Sequence, residues 1–230
     1  MNTFSKAVDR ASGPERTATR VTRALLIAGA AAGPFYVVVA VAQGLTRPGF
    51  DLTRHDVSLL SNGSLGWIQI ANFLVTGLLV IAGAIGLRRA LMSGRARTWG
   101  PVLVGIYGAG LLGAAVFAAD PAAGFPPGTP AGQSTVSWHG MLHLLSAAVG
   151  FLSLIAGCFV LARRWAGTRE RGWALFSVVT GIVFFAAFAG IAAGSGQRWS
   201  VLGFWFGLLV AWVWISTTMI RLLPRAAAVA

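Results

Sequence analysis

The chain has 230 residues, of which 56% are hydrophobic and only 10% are charged. An ordinary soluble domain carries about 25% charged residues, so this composition excludes a soluble fold. It also excludes a disordered chain, which would be poor in apolar residues. The single cysteine excludes a disulfide-bonded scaffold. The class that remains is an integral membrane protein.

Six stretches of the chain are apolar enough, and near enough to the required length of about 20 residues, to cross a bilayer as helices. Backbone groups cannot stay unpaired in lipid, so each stretch is expected to be helical. We predict an all-α polytopic membrane protein, a bundle of six transmembrane helices, with one domain at 24–222 and polar tails at 1–23 and 223–230. The predicted spans are 24–45, 67–87, 101–118, 139–162, 173–194 and 200–222.

Local residues mark two of the predicted helix starts. Pro101 is expected to open the third span, where its missing N–H group costs nothing. Ser137 is expected to cap the fourth span with its hydroxyl group. Ala40-Val41-Ala42 resembles a signal-peptidase site, and cleavage there would leave five spans. The long basic stretch ahead of it favours an uncleaved first span.

The basic residues are distributed unevenly between the two sides of the bundle. Fifteen of the 18 Lys and Arg residues precede span one, follow span six, or lie between spans two and three or four and five. Only Arg47, Arg54 and Arg198 lie on the opposite side. The positive-inside rule therefore predicts a multi-pass cell-membrane protein with both termini cytoplasmic. Basic residues scattered over short loops, without a reading motif, argue against nucleic acid as a partner.

Small and polar residues form stripes within the predicted spans. Small side chains at four-residue spacing predict close helix packing in lipid. These stripes are Gly105, Ala109 and Gly113 in span three, and Ala186, Gly190 and Gly194 in span five. Gln69, Asn72 and Thr76 share one face of span two. That face is typical of interhelical hydrogen bonding, and alternatively it would extend a polar cavity into the bundle.

The histidines fall at or near the predicted outer side. His139 and His143 are four residues apart at the start of span four, which places both rings on one helical face. Two imidazoles so placed can share a metal ion. The alternative is a pair of interfacial histidines that hydrogen-bond to headgroups or loop carbonyls.

Two outer loops carry further polar residues. The segment 51–62 is predicted to be a short helix in which Asp51 caps the helix or orients the ring of His55. Its alternative is an amphipathic interfacial helix. Asp120 begins a proline-rich run that is expected to fold over the helix ends as a lid. Asp120 is expected either to cap this turn or to serve as a metal ligand or general base.

Combined, these residues suggest a Zn²⁺ site held by His55, His139, His143 and Asp120, with an open position for water. Bound zinc would activate that water, Asp120 could act as the base, and Ser58 would assist. The reaction suggested is hydrolysis of an amide or ester in a lipid-like molecule. A non-enzymatic lipid- or partner-binding protein is the alternative. A small-solute permease is the third reading, which the uncharged span centres disfavour.

Several segments resemble a bacterial integral-membrane family known only as domain of unknown function 998. The resemblance implies six spans and supplies no activity, substrate or established site. Its residues are Gln43–Asp51, His55–Ser61, Gly66–Phe73, Phe117–Pro121, Gly124–Pro130 and Ser137–His143. A weaker resemblance, in the order Ser58 with His55, then Asp120, then His139 and His143, is to the transmembrane hydrolases of the alkaline ceramidase and adiponectin-receptor type. That pattern implies zinc, although those proteins have seven spans.

The charge distribution predicts the location of the C-terminus. Of two reporters fused after Arg225, the one that is active in the cytoplasm should give signal and the one that is active only outside the membrane should not. The reason is that 15 basic residues would otherwise have to face outward. A reporter that is active only outside the membrane would overturn the predicted orientation.

Overall fold

The structure is a computed structural model that describes residues 3–131, 135–194 and 196–227. Six long α-helices account for most of it, and the described residues contain no β-strand. The all-α fold predicted from the sequence is therefore confirmed. The helices are α1 (Thr3–Thr46), α2 (Gly66–Ala90), α3 (Ala96–Val116), α4 (Trp138–Gly167), α5 (Arg171–Ala193) and α6 (Arg198–Ala227), and a short 3₁₀ helix, η1 (Val57–Ser61), precedes α2.

All six helices are long and apolar enough to cross a membrane. The portions that meet this criterion are Thr17–Thr46, Gly66–Ala90, Ala96–Val116, Trp138–Gly167, Arg171–Ala193 and Arg198–Pro224. Each predicted span overlaps one of these helices. The spans were predicted from apolar residues alone, whereas helical hydrogen bonding continues into the polar flanks. The helices are therefore mostly longer than the predicted spans.

The start of the third span differs from the prediction. α3 begins at Ala96, so Pro101 lies inside the helix and does not open it. Proline has no N–H group, which leaves the carbonyl of Arg97 without its usual helical donor. The guanidinium of Arg88 donates to that carbonyl at 2.8 Å. A side chain from α2 thus replaces the missing backbone bond, and the helix can start one turn earlier.

Ser137 caps α4 as predicted. Its hydroxyl oxygen accepts a hydrogen bond from the backbone N–H of Gly140 at 3.1 Å. Asp120, four residues after the end of α3, accepts bonds from both the N–H and the hydroxyl of Ser137, at 2.7 and 2.6 Å. The start of α4 is therefore fixed by a residue that belongs to the preceding loop.

The helices form a closed ring. Each helix packs against its neighbours in sequence, and α6 returns to pack against α1. Additional contacts join α2 to α6. The connections from α2 to α3, from α4 to α5 and from α5 to α6 are short, which favours antiparallel packing of these neighbours. The ring surrounds an interior to which every helix can contribute side chains.

Glycines bring neighbouring helices close together, but mostly at positions other than the predicted stripes. A Cβ placed on Gly83 would lie 2.6 Å from the Cα of Gly29, where α2 meets α1. A Cβ placed on Gly110 of α3 would lie 2.9 Å from the Cα of Gly150 of α4. By contrast, a Cβ on Gly105 would meet nothing closer than 3.8 Å. Four-residue spacing predicts small helix faces, but it does not show which face meets a neighbour.

The contact of Gly83 with Gly29 leads to a mutational test. Gly83→Ala should lower the free energy of unfolding by about 1–3 kcal/mol, because the added methyl group must push α1 and α2 apart. Gly203→Ala in α6 is the matched control, since a Cβ there meets no atom within 4 Å. Thermal or SDS-induced unfolding followed by circular dichroism measures both. Equal stability of the two variants would contradict the close approach.

Candidate functional site

The ring encloses a cavity of about 450 Å³, which we call the ring cavity. All six helices and η1 contribute to its wall. Most of the wall is apolar, and its larger apolar side chains include Phe73, Leu111, Phe151, Phe188, Phe204 and Leu208. This volume falls in the range of about 300–1,000 Å³ that is typical of small-molecule sites. The ring cavity is therefore the candidate functional site.

The ring cavity reaches the lipid-facing surface of the bundle. Leu144 of α4 and Ala192 of α5 line the cavity and are also exposed, with 55% of Leu144 accessible. These positions lie in the half of each helix nearer the long loops. Exposed residues of α4 and α5 are therefore part of the cavity wall, so this wall extends to the outer surface of the bundle.

Polar side chains on the cavity wall include Asp56 and Ser58 from the η1 region, His143 from α4, and Tyr36 and Tyr107. Tyr36 and Tyr107 are the only two tyrosines in the chain. Trp212 packs between their rings, with centroid distances of 5.2 and 5.5 Å. Within the described residues, the buried hydroxyl of Tyr107 has no hydrogen-bond partner.

Asp56 is the acidic residue of this wall. It occupies the N-cap position of η1, yet its side chain makes no capping hydrogen bond. Its Oδ1 atom is buried, and no described residue donates a hydrogen bond to it. Burial raises the pKa of Asp56 because the charged form loses its hydration, and His55 opposes this shift only in part. A carboxyl group with a raised pKa and an unused oxygen is available to a ligand.

His143 has a defined tautomer. Its Nδ1 atom lies 2.8 Å from the carbonyl oxygen of Phe117 and 3.3 Å from that of Ala114. Carbonyl oxygens only accept hydrogen bonds, so Nδ1 must carry the proton. In the neutral ring Nε2 is then a hydrogen-bond acceptor. This acceptor belongs to a side chain that lines the ring cavity.

The long loop 47–65 and the described parts of the second long loop, 117–131 and 135–137, pack on each other beside the ring cavity, and we call them together the loop cap. Arg47 is buried and donates to the carbonyls of Leu60 and Asn62, at 2.6 Å each. Its guanidinium also lies 5.0 Å from the ring centroid of Phe125. Phe125 is 1% exposed and packs edge-on against Phe50. The proline-rich segment is therefore anchored to the first loop.

His55 is part of the loop cap, and both of its ring nitrogens are engaged. Nδ1 accepts from the backbone N–H of Asp51 at 2.9 Å, so Nε2 carries the proton and donates to the carbonyl of Ala123 at 3.1 Å. The segment is a turn followed by η1, where one short helix was predicted. The carboxylate of Asp51 accepts hydrogen bonds from the backbone N–H and the hydroxyl of Thr53, and these bonds lower the pKa of Asp51. This carboxylate therefore does not orient the ring of His55 as was predicted.

The other two predicted ligands, Asp120 and His139, lie outside the ring cavity. Asp120 is engaged by Ser137, and its carboxylate occupies the space that a Cβ on Gly140 would need. His139 is exposed beside Trp138, with ring centroids 3.4 Å apart. Neither residue lines the ring cavity. Only His143 and Ser58, of the residues predicted for zinc chemistry, do so.

Metal ligation requires several donors around one point. Among the described residues, no group of three or more His, Cys, Asp or Glu side chains is placed to hold a metal ion. The structure thus does not bring His55, His139, His143 and Asp120 together as a ligand set. Zinc binding gains no support from this geometry and stays a prediction.

The polar face of α2 forms hydrogen bonds between helices. Gln43 of α1 donates to Gln69 at 2.9 Å, and Asn72 donates to the backbone carbonyl of Tyr36 at 3.2 Å. Thr76 donates to Asn72 at 3.3 Å. All three residues of this face are at most 1% exposed. The packing interpretation of this face is therefore confirmed.

Sequence reasoning missed Asp56, the tyrosines and Arg47 as parts of this region. The sequence pattern assigned no role to Asp56, which lies in the segment 51–62, and it indicated Arg47 only as a charge. The signal that could have identified the tyrosines is their rarity, because the only two in the sequence lie inside apolar helices. A phenol group in lipid usually has a polar partner or lines a polar space.

The six spanning helices around this cavity define a polytopic α-helical membrane protein. Its sequence matches the family described as protein of unknown function (DUF998) over residues 30–222. The chain belongs to this family. No curated protein and no solved structure matches the chain significantly.

The environment of Asp56 predicts a pH dependence of stability. Because folding raises its pKa, folding favours the protonated form, and the native state loses stability as pH rises from about 4 through the raised pKa. Asp56→Asn removes this loss, so its Tm should exceed that of the wild type at pH 7, and the two should converge near pH 4. A wild type that gains stability relative to Asp56→Asn between pH 4 and 7 would contradict the burial argument.

Proposed function

We propose that this protein binds a single-chain, lipid-like molecule in the ring cavity. The observation that supports this most directly is an apolar cavity of about 450 Å³ inside the bundle, whose wall includes exposed residues of α4 and α5. Transfer of an apolar chain from a crowded bilayer into such a cavity exposes no apolar surface to water. The proposal corresponds to the lipid-binding alternative of the sequence analysis.

The polar side chains define the head of the ligand. The neutral ring of His143 offers an acceptor, and Asp56 and Tyr107 bring a buried oxygen each that no described residue satisfies. A buried polar group without a partner costs about 1–3 kcal/mol. A ligand head with hydroxyl or amine donors would recover part of this cost on binding. We therefore expect a small neutral or amine-bearing head on one apolar chain.

Hydrolysis of such a ligand is the second candidate function. Ser58 and His143 line the same cavity, so a serine hydroxyl and an imidazole acceptor are both near the proposed ligand. Asp120, which was predicted to act as base or metal ligand, is engaged by Ser137 instead. Hydrolysis would then use residues of the ring cavity. The crosslinking experiment below also tests hydrolysis, because the ligand recovered from it is either intact or cleaved.

A photoreactive monoacylglycerol with a diazirine in its chain tests binding to the full chain in detergent. Ala147→Trp should reduce specific crosslinking about tenfold, because Ala147 lines the cavity and the indole fills the space of the chain. Ala189→Trp is the matched control, since Ala189 is exposed on α5 and is not part of the cavity wall. Crosslinking is quantified by mass spectrometry. Equal labelling of the two variants would overturn the proposed binding site.

The polar head is tested by ligand discrimination. The wild type should prefer the monoacylglycerol over the fatty-acid methyl ester of the same chain, which has no hydroxyl donors. His143→Phe should reduce that preference about tenfold, since a buried hydroxyl group of the head that is left without its acceptor costs about 1–3 kcal/mol. Competition against the photoprobe measures the preference. An unchanged preference would exclude His143 from head recognition.

A further inference from the structure

A second concave site lies at the opposite end of the bundle from the ring cavity. It is a groove of about 740 Å³ between the connection from α2 to α3, the first turns of α3 and the last turns of α4. We call it the basic groove. Its wall includes Arg95, Trp99, Leu103, Val160, Arg163 and Arg164.

The basic groove is strongly cationic. Arg95, Arg163 and Arg164 line it, and no lining residue is acidic. Arg164 donates to the carbonyl of Ser93 at 2.6 Å, which fixes the connection from α2 to α3 against α4. Arg95 and Arg163 are exposed on the two sides of the groove. Three guanidinium groups around one concave surface favour an anion.

The nearest acidic residue in sequence, Glu170, is already engaged. It forms an ion pair with Arg221 of α6. The guanidinium of Arg221 also lies 4.6 Å from the ring centroid of Trp173 and 5.8 Å from that of Trp165. This cluster joins α6 to the connection between α4 and α5. Glu170 does not line the basic groove, and its charge is balanced by Arg221.

The rest of the groove wall is apolar. Leu103 of α3 and Val160 of α4 lie closer than the arginines to the middle of their spanning segments. Trp99 lies between these residues and the arginines and is 56% exposed. Tryptophan is enriched at the boundary between headgroups and hydrocarbon in membrane proteins. The groove therefore has a charged end at headgroup level and an apolar end at chain level.

We propose that the basic groove is a binding site for an anionic phospholipid. The phosphate lies between the guanidinium groups of Arg95, Arg163 and Arg164, and the start of one acyl chain packs against Leu103 and Val160. The predicted orientation places the groove in the cytoplasmic leaflet, where anionic lipids attract basic segments. The polar and apolar ends of the groove match the two parts of a lipid, whereas a soluble anion would leave the apolar end empty.

The site is tested on the full chain in detergent micelles that contain either phosphatidylglycerol or phosphatidylcholine with identical acyl chains. The shift of Tm with lipid concentration gives the apparent affinity for each lipid. The wild type should bind phosphatidylglycerol at least tenfold more tightly, because each basic residue near an anionic headgroup contributes substantially to attraction. Arg95→Gln combined with Arg163→Gln should reduce this preference about tenfold.

The matched control combines Arg97→Gln with Arg171→Gln. Both residues are exposed near the same end of the bundle and lie outside the groove wall, so net charge changes equally. This control should keep the wild-type preference. An equal loss in both double variants would overturn the site in favour of diffuse surface charge. If sn-glycerol 3-phosphate protects the wild type as well as the lipid does at equal concentration, the ligand is a soluble anion and the proposal is wrong.

Discussion

The arrangement of the candidate site depends on one buried cation. Arg47 follows α1 directly, and its guanidinium binds the carbonyls of Leu60 and Asn62 while it packs over Phe125. Leu60 belongs to η1 and Asn62 follows it directly, so these bonds hold η1 against the end of the ring. Asp56, Val57 and Ser58 line the cavity because η1 is held there. The same side chain fixes the proline-rich segment through Phe125, so one arginine orders both long loops.

The closed ring explains why one chain can offer two unrelated sites. Contacts between consecutive helices leave space inside the ring at the end near the loop cap, where aromatic side chains line the ring cavity. At the other end, basic residues surround an apolar groove between α3 and α4. The first site suits a molecule that enters from the bilayer, and the second suits a lipid at the membrane surface. The sites differ because the interior is apolar at one end and the surface is cationic at the other.

The sequence was sufficient for six spanning helices, because length and apolarity act locally and lipid allows few backbone alternatives. It also located the Ser137 cap and the interhelical bonds of α2, both of which depend on short spacings. It could not assign His55, His139 and Asp120. Spacing places residues on a helical face, but only neighbouring elements determine which atoms remain free. Both ring nitrogens of His55 are engaged by backbone groups, and both carboxylate oxygens of Asp120 accept hydrogen bonds from Ser137.

The sequence by itself determined the class of protein, the number of spans and the end of the bundle where polar residues gather. Only the tertiary structure distinguished polar residues that stabilise the loop cap from those that face the ring cavity. The physical reason is that a buried polar atom must be satisfied by whatever lies beside it. Carbonyls of Ala123 and Phe117 occupy one nitrogen each of His55 and His143, yet the remaining nitrogen is used by the backbone in His55 and is left as an acceptor in His143. The contact between His55 and Ala123 joins residues 68 positions apart in sequence, so no local spacing could have predicted it.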